Sequence, residues 1–155
     1  MAVAISSDVI KLLFESQNYQ LLAELARNNG LDNAILLRLS ELKNSSINFQ
    51  LVQRVDLSEI AIKNIAEATF SDALNEEKVN NVWYATCRIV THRNAPAQIL
   101  EQLANNEPRS LYKKFGEELF KPIRDAVMKN YTTPITIRQK LYSQTFHSLD
   151  SGNFR

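Results

Sequence analysis

The sequence predicts an all-α fold of stacked helical repeats, with an irregular helical bundle as the alternative arrangement. Apolar residues recur at the spacing of a helix face along most of the chain. Helix-opening residues stand just ahead of these stripes, and one polar corner returns several times. With only three glycines and four prolines in 155 residues, connections are short and a low-complexity chain is excluded.

Ser6 or Ser7 caps a first helix through Val9, Ile10, Leu12, Leu13 and Phe14, with Asp8 in its first turn. A second runs from about Tyr19 to Asn28 on Leu21, Leu22, Leu25 and Ala26, and Asn28-Asn29-Gly30 offers a left-handed exit. Asp32 caps a third, whose Ile35, Leu36, Leu39 and Leu42 share one face. Asn44-Ser45-Ser46 breaks it, and Ile47, Phe49, Leu51 and Val52 begin a shorter helix. Ile47 and Phe49 alternate as a strand would, but no partner strand is evident.

Ser58 caps Ile60 to Ala68, and Ser71 with Asp72 opens a short turn ending near Asn75. From Glu77 to Thr91, Val79, Val82, Trp83, Thr86, Cys87 and Val90 form one stripe, which assigns Trp83 and Cys87 to the core. Pro96 then opens the helix of Ile99, Leu100 and Leu103. Arg109 to Phe120 follows, with Leu111, Phe115, Leu119 and Phe120 as its apolar side. Pro122 starts a separate helix, Ile123 to Lys129, where a missing N–H costs nothing. Thr133 and Pro134 open Ile135 to Phe146, leaving 147–155 as a frayed tail behind a single domain of residues 1–146.

The corners align. Asn28, Arg54, His92 and Asn130 each stand eleven residues before an apolar residue, Leu39, Ile65, Leu103 and Leu141. Four residues after each start come Asp32, Ser58, Pro96 and Pro134, all helix openers. The copies are 26, 38 and 38 residues apart, a period that points to stacked helical units. A helix pair this short cannot bury its apolar stripe alone and must stack on a neighbour.

Leu25-Ala26-Arg27-Asn28 leading into Leu36 and Leu39, and Ile123 to Asn130 leading through Pro134 to Leu141, resemble the units of the leucine-rich repeat variant family, a HEAT-like α-solenoid. Ile123-Arg124 is similar to that family's Val-Arg position. The resemblance covers about half the chain; irregular spacing and the insertion near Arg109 to Phe120 depart from it. It implies a right-handed superhelix used for binding rather than a defined reaction. Some family members carry an iron–sulfur cluster, but Cys87 alone cannot hold one, so no cofactor is expected.

Composition narrows the function. No apolar run approaches the roughly 20 residues that span a bilayer. Met1 to Phe14 lacks the basic start of a signal peptide. The single cysteine forms no internal disulfide, which suits a cytoplasmic setting. Catalysis finds no constellation: His92 and His147 have no nucleophile placed with them, Gly30, Gly116 and Gly152 make no phosphate loop, and no metal-ligand spacing occurs. A non-enzymatic protein is expected.

Residues 1–80 hold 7 Lys and Arg against 11 Asp and Glu; residues 81–155 hold 11 against 6. Opposite charge in the two halves allows head-to-tail self-association. A protein or peptide partner is the first expectation, since stacked helices present an extended groove. Nucleic acid bound by the basic second half is the second. The binding candidates are Arg93, Asn94, Lys114, Arg124, Asn130, Tyr131 and Arg138, polar residues of the corners and basic residues near them.

Overall fold

The computed structural model describes residues 5–73 and 79–150, and among these every regular element is a helix. The nine are α1 (Ser7–Glu15), α2 (Tyr19–Ala26), α3 (Asn33–Glu41), α4 (Ser45–Leu51), α5 (Glu59–Asp72), α6 (Val79–Thr91), α7 (Ala97–Ala104), α8 (Arg109–Lys129) and α9 (Ile135–Asp150). The Ser6 hydroxyl and the Asn18, Asp32, Asn44 and Ser58 side chains accept backbone N–H groups at the starts of α1 to α5. Short polar side chains therefore punctuate the first half; the sequence predicts the Ser6, Asp32 and Ser58 caps, while Asn18 and Asn44 are added by the structure.

Helices two apart in sequence pack on one another in each half of the chain, and α5 lies on α6 where the halves meet. α2 lies on α4 and α6 on α8, while α3 lies on α5 and α7 on α9. The Phe49 and Tyr84 rings, 5.3 Å apart, join α4 to α6. The corners at residues 28–32, 54–58, 92–96 and 130–134 connect α2 to α3, α4 to α5, α6 to α7 and α8 to α9. The apolar residue eleven places after each corner start lies in the core: Leu39, Ile65 and Leu103 are fully buried and Leu141 is nearly so. One continuous apolar cluster runs from Leu22 to Leu141.

Five expectations need correction. The exit from α2 is not left-handed at Gly30; instead the Asn28 Oδ1 accepts the Gly30 N–H at 2.9 Å. Ser71 and Asp72 are the last turn of α5 and open nothing; Asn75 and Glu77 lie outside the described residues. Trp83 and Cys87 are half-buried at the core margin, because Ala85 and Ile89 also turn inward and rotate the stripe.

The break between Arg109 and Lys129 falls at Gly116 and not at Pro122. Gly116 has φ 67° and ψ 177°, a conformation open essentially only to glycine, so the chain kinks there. Pro122 is carried within the second half of α8. Finally, α9 continues past Phe146 to Asp150; residues 151–155 lie outside the described residues.

Candidate functional site

The corners are joined to one another by hydrogen bonds between equivalent positions. The Arg54 guanidinium donates to the carbonyls of Ala26 (3.1 Å) and Asn28 (2.7 Å). The Asn130 carboxamide donates to those of Val90 (2.6 Å) and His92 (3.0 Å). In both cases the first residue of one corner reaches the first residue of the preceding corner and the residue two before it. A second set recurs two places along: Asn94 Nδ2 donates to Leu57 O (2.8 Å) and Thr132 Oγ1 to Ala95 O (3.1 Å).

Within each corner the first residue also holds the turn. Asn28 Oδ1 accepts from Gly30 N, His92 Nδ1 from Asn94 N and Asn130 Oδ1 from Thr132 N, at 2.9, 3.0 and 3.0 Å. Arg54 has no acceptor to offer. Its guanidinium instead clasps the Asp56 carboxylate through Nε (2.9 Å) and Nη2 (2.7 Å). That bond holds Asp56 below the usual carboxylate range.

Asn94 and Asn130 are thus occupied by interior hydrogen bonds, and Asn130 is buried. Tyr131 is 67% exposed, with its hydroxyl donating to Arg93 O. Arg138 donates to the carbonyls of Tyr131 (2.7 Å) and Thr133 (3.0 Å) in its own corner. These equal the carbonyls that Tyr131 and Thr132 satisfy one corner earlier. Arg138 therefore completes the final corner from within.

Five of the seven predicted residues, Arg93, Asn94, Asn130, Tyr131 and Arg138, come together at this edge. Lys114 and Arg124 do not. Lys114 donates to Ala73 O at the far end of α5 (2.9 Å), and Arg124 bonds Asn106 Oδ1 (2.7 Å) and Glu117. Ala73 and Asn106 follow α5 and α7, so both basic side chains are bonded toward the opposite ends of those helices. About 13 residues of helix after Gly116, roughly 20 Å, separate the Lys114 end of α8 from the corner edge, whereas Arg124 stands nearer that edge on the helix and turns its guanidinium away toward Asn106.

Between the second and third corners lies a cleft of about 320 Å³, lined by Arg54, Val55, Arg88, Thr91, His92 and Arg93. Arg88 Nη2 donates to Gln53 O (3.2 Å), while Arg88 Nε is buried without a hydrogen-bond partner and His92 Nε2 is turned toward the Arg54 backbone. Burial holds His92 below the usual histidine range, and Arg93 and Arg88 push it further down, against the favourable Arg54 backbone. The ring is therefore neutral near pH 7, with Nδ1 as acceptor and Nε2 carrying the hydrogen.

Sequence reasoning singled out Arg93 but missed Arg54, Arg88 and Val55. Arg54 was available as the first residue of an aligned corner. Arg88 counts among the basic residues of the second half, but no local pattern places it at the corner edge, because it reaches there from within α6. Among the described residues no group of histidine, cysteine and acidic side chains could hold a metal, and no helix is long and apolar enough to cross a membrane. No family model, curated protein or solved structure matches this chain.

Proposed function

We propose that this chain is a non-enzymatic protein-interaction module and that its corner edge is the surface offered to a protein or peptide partner. The observation that carries this reading is the outward row of second corner residues: Asn29, Val55, Arg93 and Tyr131 are all exposed. Val55 and Tyr131 are 69% and 67% exposed, large apolar surfaces on a hydrogen-bonded support. A rigid support with exposed aromatic and basic residues suits recognition, since little conformational freedom is lost on binding.

The corner hydrogen bonds and the packing of helices two apart also support stacked units, read as a right-handed HEAT-like superhelix. Nucleic-acid binding is less well supported, because the Lys114 and Arg124 side chains are bonded away from Arg93 and Arg138. A continuous phosphate backbone requires cations along one track.

Cross-linking mass spectrometry on partners captured by the full chain tests the reading. Cross-links at the corner edge, and partner loss in a Val55→Ser, Tyr131→Ser double variant, are expected. Unchanged capture by that variant would overturn it.

A further inference from the structure

We infer that the cleft between the second and third corners is an oxyanion-binding site, which receives an acidic or phosphorylated side chain of a protein partner. The inference deepens, and rests on, the corner-edge reading. Its first support is charge. Of the three guanidinium groups at the cleft, that of Arg54 is neutralised by Asp56. Arg88 and Arg93 remain, and His92 between them is neutral, so the cleft carries a net charge near +2.

Hydrogen-bond polarity is the second support. Arg88 Nε is a donor, buried without a partner, and belongs to a residue that lines this cleft beside exposed Arg93. A buried donor without an acceptor is destabilising, and an oxygen that reaches it removes that cost. A ligand that presents several acceptor oxygens matches this arrangement, and a cation or a donor does not. The Arg88 guanidinium, fixed at one nitrogen by Gln53 O, keeps its Nε–H for a second oxygen.

Surroundings narrow the source of the oxyanion. Val55, 69% exposed, lines the cleft, and exposed Tyr131 bonds the Arg93 carbonyl through its hydroxyl, so apolar surface accompanies the charge. Mixed apolar and basic surface fits a peptide segment with one anionic side chain. A nucleic acid would engage repeated cations, and Lys114 and Arg124 are instead bonded to Ala73 O and Asn106 Oδ1, away from the corners.

The test is titration of the full chain with sodium phosphate and, separately, sodium acetate, at ionic strength fixed with sodium chloride. Thermal unfolding and arginine side-chain NMR shifts are the readouts. Ligand binding to the native state raises the unfolding temperature with saturation. Saturation with both anions supports a carboxylate or phosphate ligand, and saturation with phosphate alone supports a phosphorylated side chain. Arg93→Gln, an exposed change, should weaken binding at least fivefold, as should Arg88→Gln; exposed Lys113→Gln on α8 should not.

Absence of saturation in the millimolar range, or equal binding by Arg93→Gln, overturns the site. A single-stranded oligonucleotide that binds more tightly, with equal dependence on Lys114 and Arg93, also overturns it. Failure here leaves the interaction reading separately decided by the Val55 and Tyr131 variant.

Discussion

The Asn130 carboxamide donates to the carbonyl of His92 across 38 residues of sequence, as the Arg54 guanidinium does to Asn28 across 26. The two spacings are those at which the corners recur in the sequence. Corners that share an apolar spacing in the sequence therefore also share polar contacts in two of their pairings. Buried carbonyls at a helix end need donors, and the next corner supplies them.

Asn130→Ala removes both donors to Val90 and His92 and leaves two carbonyls in a buried setting. A loss of about 2–4 kcal/mol in unfolding free energy is expected, read by urea denaturation. Asn130→Asp should be no better, since a carboxylate accepts but cannot donate to either carbonyl. Wild-type stability in Asn130→Asp would refute the ordering role.

Arg54→Met keeps the bulk of the buried side chain and deletes its four donated bonds. Unfolding free energy should fall by about 2–4 kcal/mol from the two orphaned carbonyls. The acid limb should change as well. Asp56 is held below 3.8, so its contribution is present above that value and is lost as pH falls through the lowered folded value. In Arg54→Met this part of the acid dependence should flatten, measured by denaturation at a series of pH values.

His92 gives a second pH dependence of the same sign. Its folded value lies below 6.5, so the unfolded chain binds the proton more readily. Stability from this residue is full above about 6.5 and declines as pH falls toward the lowered folded value. Protonation also removes the Nδ1 acceptor of the Asn94 N–H. His92→Asn places the side chain of the first and fourth corners in the third. It should keep the turn while abolishing the slope near pH 6, and a persisting slope would assign it elsewhere.

Gly116→Ala meets no atom within 4 Å of the added methyl group, so any cost comes from the backbone alone. At φ 67° that cost is about 1–3 kcal/mol. Pro122→Ala, by contrast, restores an N–H inside α8 and should be neutral or stabilising. Thermal unfolding of the two variants separates a break at Gly116 from one at Pro122.

The all-helical class, the Ser6, Asp32 and Ser58 N-caps and the four buried apolar residues at the eleventh position were legible in the sequence. Each follows from local chemistry: a 3.6-residue period, or an Asp or Ser side chain that accepts the first free N–H groups. Gly116 was misread against Pro122 because proline announces a boundary in sequence, whereas a glycine announces nothing until its φ is known. Among the site residues, Arg93 and Tyr131 stand outward as expected, but the chemistry of Asn94 and Asn130 is turned inward.

What the sequence determined by itself was an all-helical chain with a corner that returns. Only the tertiary structure decided that Arg54 and Asn130 bind the preceding corner, that Lys114 and Arg124 are bonded away from the corners, and that Arg88 meets Arg93 beside His92. Those are relations between residues tens of positions apart. They depend on which helix ends are brought together by burial of the apolar stripes, and no local period records that.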